Sequence, residues 1–300
     1  MKTMLVTGRR GQLATALQAL APRFAAEDWR LAATGRPDFD FDRPETIAAV
    51  IAAIRPHLVI NAAAWTAVDL AEREVEAARR ANETGLARLA QICADAEIPV
   101  IHLSTDYVFD GSKGAPYRET DQPNPINVYG ASKLAGERHV LAAGGRTMIL
   151  RTSWLYAATG TNFVRAMLAA ARRETKLRIV ADQRGAPTNA DDLAEAILAL
   201  ILRTDGGRRN EFGGVFHAAG SGDTTWFGFA EAIFAAAARH GRPVPELTPI
   251  TTAEWPTPAR RPADTRLDCH KLEAVFALRL PPWRESLDRA VVRICAEEAA

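Results

Sequence analysis

The sequence predicts an α/β fold, a doubly wound parallel sheet with a smaller C-terminal lobe. Three observations lead there: short apolar runs alternate with longer helical patterns through the first half, a glycine turn follows the first apolar run, and proline and irregular patterning increase after residue 240. Strands alternating with helices of this length imply βαβ units and a parallel sheet.

The elements follow in order. Met4-Leu5-Val6-Thr7 reads as a buried strand, followed by a helix from about Gln12 to Ala21. Residues 29–34 read as a second strand. Ile47, Val50, Ile51 and Ile54 recur at helical spacing within a helix over 44–54. His57–Ala62 and Pro99–Ser104 are further strands, separated by a long helical pattern over 72–96. A helix over 129–142 and a strand over 147–152 follow. Beyond them, 162–173, 191–203 and 227–240 read as helices and 213–218 as a strand. Residues 206–210 read as an exposed loop. The proline-rich stretch 243–262 reads as loop and short strand, because proline breaks helices. The expected division is 1–152 for the dinucleotide-binding part, with 190–218 returning to it, and 153–189 plus 219–300 for a substrate-binding lobe.

Composition narrows the function. The 300 residues carry a net charge of +1, with 24% charged and 48% hydrophobic residues. That balance argues against nucleic-acid or membrane-surface binding driven by bulk charge. Cys93, Cys269 and Cys295 are too sparse for a disulfide framework or a zinc site. His102, His217 and His240 show no metal-ligand spacing. No apolar run approaches a membrane span, and the N-terminus runs directly into a strand, so a cytoplasmic protein is expected.

The first strand ends in Gly8-Arg9-Arg10-Gly11-Gln12-Leu13-Ala14, a G-x-x-G-x-x-A turn opening a helix. Glycine permits the tight turn and close backbone approach to a pyrophosphate. The helix start supplies free N–H groups and a positive dipole end. Such a turn is common, and its βαβ context makes it informative. The second strand ends Ala33-Thr34-Gly35-Arg36 without the carboxylate that binds a ribose 2′-hydroxyl. Arg36 is therefore either a partner for a 2′-phosphate, favouring NADPH over NADH, or a solvated loop arginine. Asp40 and Phe41 are placed near an adenine, with packing as the ordinary role for Phe41. Ala62, Ala63 and Ala64, with Thr66 beyond, suit close approach to a cofactor, or equally tight core packing.

The fourth strand ends in Ser104-Thr105-Asp106-Tyr107, and Tyr129-Gly130-Ala131-Ser132-Lys133 follows. Spacing i, i+4 puts Tyr129 and Lys133 on one helix face. A free phenol titrates near pH ~10. A nearby ammonium and a helix N-terminus both favour the phenolate, so Lys133 is expected to lower the tyrosine's pKa. Thr105, or Ser104, would hold a substrate carbonyl beside Tyr129. A lone Y-x-x-x-K is frequent by chance; the glycine turn and the strand-end hydroxyl make the set specific.

These residues resemble the extended short-chain dehydrogenase/reductase superfamily and, within it, the dTDP-4-dehydrorhamnose reductase family. The similarity covers nearly the whole chain: GRRGQLA at 8–14, RPHLVINAAAWTAVDLAE at 55–72, HLSTDYVFDG at 102–111, NPINVYGASKLAGE at 124–137, ILRTSWLYA at 149–157, NFVRAML at 162–168, DQRGAPTNADDLAE at 182–195, TTW at 224–226 and PTPARRPADTRL at 256–267. The resemblance implies a Rossmann-like sheet carrying NAD(P)H and hydride transfer to C4 of dTDP-4-dehydro-L-rhamnose. Tyr129 would donate the proton, Lys133 would hold the nicotinamide ribose, and Thr105 would be the catalytic hydroxyl. Tyr107 and Trp154 match positions lining the sugar site, and Asn162 one near the substrate, where it also suits a helix cap. The chain departs from the pattern at Ala14, often glycine, and at Ala16, where some members place a ligand to a magnesium ion shared between subunits. Asp191, Glu297 and Glu298 remain, so the magnesium site, and a homodimer built on it, rest on an incomplete ligand set.

Arg260, Arg261 and Arg266 cluster in the proline-rich loop, and Arg261 and Arg266 are candidates for a sugar nucleotide's diphosphate. Pairing with Asp264 or Asp268 is their ordinary role. Trp226 and Trp255 read as core. Rival readings are a reductase of another nucleotide-linked 4-keto-6-deoxy sugar, a non-catalytic regulatory subunit, and an epimerase or dehydratase. The TDYVFDG run lacks the glutamate pair expected of a dehydratase.

Overall fold

The computed structural model describes residues 1–298. Six parallel strands form the central sheet: β1 (Lys2–Thr7), β2 (Trp29–Thr34), β3 (Leu58–Asn61), β4 (Val100–Thr105), β5 (Thr147–Thr152) and β6 (Gly214–His217), in the order β6-β5-β4-β3-β1-β2. The chain winds outward in one direction from β1 to β2 and in the other from β3 to β6. The carboxyl ends of β1 and β3 thus flank the reversal point, where open α/β sheets bind ligands.

Side chains alternate across the sheet and feed two cores. Met4, Val6, Leu58, Ile60, Met148 and Leu150 face α1 (Gln12–Ala19) and the helix Ala190–Arg203. Leu5, Val59, Val100 and Ile149 face the other way, onto α2 (Pro44–Ile54), α3 (Gly85–Asp95) and α4 (Val128–Ala142). A third core joins α5 (Phe163–Ala170), α7 (Trp226–Ala238) and α8 (Trp283–Glu297) around Tyr156, Phe229 and Trp283, and α6 (Ala190–Arg203) is tied to α8 by the Ser286 hydroxyl, which donates to the Asp192 carboxylate. Strand Lys176–Val180 pairs in parallel with Glu246–Ile250, so the proline-rich stretch does contain a short strand.

Several expectations are corrected. The pattern over 72–96 is a continuous helical run over 75–95, in which a π-helical turn Arg80–Thr84 joins Val75–Arg79 to α3. The π-turn places Asn82, whose amide accepts from the Trp65 N–H at 2.8 Å and donates to the Trp65 carbonyl and the Ser132 hydroxyl. The loop at 206–210 is only partly exposed, since Gly206 and Gly207 are buried against Trp29 and Pro99. Trp255 is 55% exposed and lies outside the core. The strand Lys176–Val180 and the helices His270–Phe276 and α8 were not anticipated.

Candidate active site

The carboxyl ends of β1, β3, β4 and β5 open into a cavity of about 900 Å³. The glycine turn forms one end. Gly8 adopts φ +76°, and a Cβ there would lie 3.0 Å from the Ala62 carbonyl oxygen and the Ala63 nitrogen. The β1 and β3 ends therefore approach backbone to backbone. Gly11 caps α1 without any side-chain hydrogen bond, leaving the helix N–H groups free of a side-chain partner at the cavity wall. Arg10, Gln12, Leu13, Arg36, Phe41, Ala62, Ala63, Ala64 and Thr66 also line this space. A cradle without side chains, a bare helix N-terminus and the unpartnered buried hydroxyls of Ser104 and Thr152 fit a dinucleotide.

The other end carries the chemistry. Asn127 begins α4: its side chain accepts from the Gly130 N–H at 2.8 Å and donates to the Arg260 carbonyl. Tyr129 thus sits in the first turn of α4 and Lys133 one turn later. Tyr129 packs edge-on against Tyr107 and lines the cavity with Thr105. Thr105, Tyr129 and Lys133 all face the cavity, with Ser104 and Trp154 nearby.

The expected coupling of Lys133 to the tyrosine's acidity is corrected. Burial pushes Tyr129 up to about 12, the Thr105 hydroxyl opposes this, and the nearby Asp106 carboxyl adds to it. Lys133 is not among the influences. Its ammonium is turned aside, donating to the Leu103 carbonyl at 2.6 Å and lying 3.4 Å from His102 Nε2. Burial lowers Lys133 to about 8, and Glu137 one turn further along opposes that shift. The protein's own groups thus hold Tyr129 as a protonated phenol, poised as an acid.

A buried polar chain runs from the glycine turn to this lysine. The Ala63 N–H donates to the Thr7 hydroxyl at 3.2 Å, which donates to Asn61 Oδ1 at 2.5 Å. Asn61 Nδ2 lies 3.0 Å from His102 Nδ1. Burial, then the Lys133 charge, hold His102 well below the usual imidazole range, so its ring is neutral. Sequence reasoning missed Thr7, Asn61 and His102; the signal was three polar residues within otherwise apolar buried strands.

Trp154 has φ +46° and stacks on Trp226 at 3.6 Å. Gly185 completes the sandwich, since a Cβ there would meet the Trp154 ring at 2.5 Å. Trp226 is thus part of an aromatic wall continuous with the cavity.

Other candidates lie elsewhere. Asp40 does not line the cavity; it pairs with Arg36 at 3.2 Å and with Arg43. Tyr107 is behind Tyr129 and outside the lining. Asn162 caps α5, accepting from the Arg165 N–H, and donates to Gln12 Oε1 at 2.9 Å. Arg261 pairs with Asp69 at 2.8 Å. Arg266 pairs with Asp264 and lines a second cleft. Asp191, Glu297 and Glu298 each face arginines within the chain. No group of three or more metal-ligating side chains occurs among the described residues, and no helix among them is long and apolar enough to cross a membrane.

A doubly wound sheet, a glycine cradle at its reversal point and a Thr–Tyr–Lys set beside it define a nicotinamide-dinucleotide oxidoreductase of the extended short-chain type. The family model described as RmlD substrate binding domain matches residues 1–295. The chain belongs to this family, that of the dTDP-4-dehydrorhamnose reductases. It is 44% identical over 295 residues to the dTDP-4-dehydrorhamnose reductase of Sinorhizobium fredii, covering 98% of each chain. It is 40% identical to that of Escherichia coli, covering 95% of this chain and 96% of the relative. The crystal structure of the Bacillus anthracis dTDP-4-dehydrorhamnose reductase in complex with NADP superposes with a TM-score of 0.89 at 33% identity, covering 97% of this chain and 99% of that one. A Thermus thermophilus UDP-glucose 4-epimerase shares the fold, with a TM-score of 0.79 at 20% identity.

Proposed function

We propose that this protein reduces the C4 keto group of dTDP-4-dehydro-L-rhamnose to dTDP-L-rhamnose with NADPH or NADH. The observation that carries the reading is that Thr105, Tyr129 and Lys133 line one cavity whose other end is the glycine cradle. The names of the relatives supply the substrate. Residues 1–152 with 190–218 would hold the dinucleotide, and 153–189 with 219–300 would cover the sugar nucleotide.

The reduced nicotinamide, when bound, supplies the hydride. Thr105 and Ser104 orient the carbonyl oxygen, and Tyr129 gives that oxygen its phenolic proton as negative charge develops. Lys133, which donates to the Leu103 carbonyl, would bind the ribose hydroxyls. Arg36 supports NADPH as the preferred form, because it stands 64% exposed at the cavity rim, where a 2′-phosphate would compete with Asp40 and Asp42 for its guanidinium. The paired Asp191, Glu297 and Glu298 favour a protein without the shared magnesium ion; a homodimer would then need another interface.

The test is oxidation of NADPH and NADH by the purified protein with enzymatically prepared dTDP-4-dehydro-L-rhamnose. Tyr129→Phe should lower turnover by about 10²-fold or more with cofactor binding retained. Near-normal turnover in that variant removes Tyr129 from the chemistry.

A second reading is reduction of a different dTDP-linked keto sugar. It is favoured by a relative 37% identical over 296 residues, from Streptomyces antibioticus, named a probable dTDP-4,6-dihydroxy-2-methyloxan-3-one 4-ketoreductase. Relative kcat/KM for the two sugars separates the readings.

A further inference from the structure

Three polar side chains lie side by side across the sheet and end at Lys133. Thr7 on β1 is in register with Asn61 on β3, and Asn61 with His102 on β4. All three, and Lys133, are no more than 2% exposed. The row begins one residue before the Gly8 turn and ends at an amine on the cavity wall. Burying polar groups is costly, and apolar side chains would fill the same space without that cost. The reaction above leaves the row unused.

Its hydrogen bonds have a direction. The Ala63 N–H donates to Thr7, whose hydroxyl donates to Asn61 Oδ1 at 2.5 Å. Asn61 Nδ2 therefore meets His102 Nδ1 as a donor at 3.0 Å. A neutral ring that accepts at Nδ1 carries its proton on Nε2. That N–H faces Lys133 Nζ, 3.4 Å away, while Nζ donates to the Leu103 carbonyl at 2.6 Å. Nε2–H can donate to the lone pair of an amine, but an ammonium has none. The arrangement thus belongs to the uncharged lysine. Beside an ammonium, Nε2 must accept and the ring proton must sit on Nδ1. Asn61 must then turn its oxygen to the ring and its amide N–H to Thr7.

We infer that Thr7, Asn61 and His102 reverse their hydrogen-bond direction as one unit when Lys133 gains or loses a proton, with His102 as the positioning residue that holds Nζ in both states. Net, one solvent proton is taken up as the lysine charges: N–H bonds form at Nδ1 and Nζ, one breaks at Nε2, and no electrons move. The use of Nζ on a ribose rests on the proposed reduction; the reversal itself does not.

The surroundings suit this role. Burial lowers Lys133 to about 8, so its charge changes on the alkaline side of neutrality. The ionisable groups around it are His102 on β4 and Tyr129 and Glu137 on α4, with Asp106 lining the same cavity. Glu137 favours the ammonium and is itself bound by Arg151 on β5. His102 stays neutral, so it answers the lysine by moving its proton between ring nitrogens and not by charging.

Nitrogen-15 spectra of the histidine rings of the whole protein, without cofactor or substrate, tell a protonated ring nitrogen from a bare one. His102→Gln identifies the His102 signals among those of the six histidines. The ring proton should be on Nδ1 well below pH 8 and on Nε2 well above it, crossing over near that point. Asn61→Asp offers the ring only acceptors, so it should hold the proton on Nδ1 at both extremes. NADPH binding, followed by fluorescence, reads the positioning role. His102→Leu should weaken it about tenfold, the scale of one hydrogen bond, with kcat changed less. His102→Gln, which can donate or accept, should recover most of the loss. A single tautomer throughout the wild-type titration, a ring that still switches in Asn61→Asp, or unweakened NADPH binding in His102→Leu each overturns the inference. Absence of keto-sugar turnover in a wild type whose ring switches overturns the proposed reaction and not the reversal.

Discussion

Arg151 grips Glu137 through two parallel hydrogen bonds, Nε to Oε1 at 2.9 Å and Nη2 to Oε2 at 2.6 Å, and both side chains are sealed from solvent. The pair ties β5 to α4 one turn beyond Lys133. Breaking a buried pair strands a charge and costs about 3–5 kcal/mol. Glu137→Ala should therefore lower the urea midpoint strongly, whereas replacing both partners with apolar residues of similar volume should recover much of the loss. A single variant with an unchanged midpoint would show that the pair contributes nothing.

Lys133 should cost the fold stability near neutral pH. Its folded pKa, about 8, lies below the unfolded 10.5. Between those values the unfolded chain binds the extra proton, so stability rises with pH; below about 8 the penalty is fully present. A shift of that size corresponds to about 3 kcal/mol. Lys133→Met should be more stable than the wild type at pH 7, by an amount that shrinks by pH 10, while cofactor binding and rate fall. Urea unfolding at both pH values measures the difference, and a destabilised variant at pH 7 contradicts the assignment.

Gly136 lies against the π-turn, where a Cβ would fall 2.0 Å from the Asn82 carbonyl oxygen. Gly136→Ala must push α4 off its seat. Overpacking of this kind costs about 1–3 kcal/mol, and the displaced Tyr129 should lower kcat as well. Unfolding and turnover measured on one preparation test both, and intact turnover would show that α4 tolerates the shift.

Arg36 pairs with Asp40 at 3.2 Å and Asp42 at 3.3 Å on an exposed edge. Arg36→Ala should raise the Michaelis constant for NADPH by about tenfold, the scale of one charge-assisted contact, and barely move that for NADH. Equal changes would mean that Arg36 does not distinguish the cofactors.

The sheet was legible because its strands are buried on both faces and read as short continuous apolar runs, Met4–Val6 and Leu58–Ile60 among them. The motifs that define the site were legible because glycine at Gly8 and the i, i+4 spacing of Tyr129 and Lys133 are local properties. What depended on tertiary contact was not. The π-turn within the 72–96 pattern carries Asn82, which reaches Trp65 and Ser132 across the fold. The tyrosine's acidity follows from where the Lys133 side chain turns, which spacing along a helix does not reveal. Arg266 was read toward a diphosphate, yet its guanidinium meets Asp264 two residues away. Trp255 was read as core because tryptophan usually is, and the proline-rich loop carries it into solvent.

Gly130 follows Tyr129 and Gly136 follows Lys133 on α4, and a Cβ at either would strike main chain, the carbonyl oxygen of Tyr107 at 2.1 Å or that of Asn82 at 2.0 Å. The helix bearing the acid and the amine is thus seated on peptide groups on both sides, and its height above the β4 edge is fixed by the one kind of atom that substitution cannot alter. Change of substrate scope within this scaffold is therefore left to the aromatic wall and the loops above it, while the reacting oxygen keeps its station.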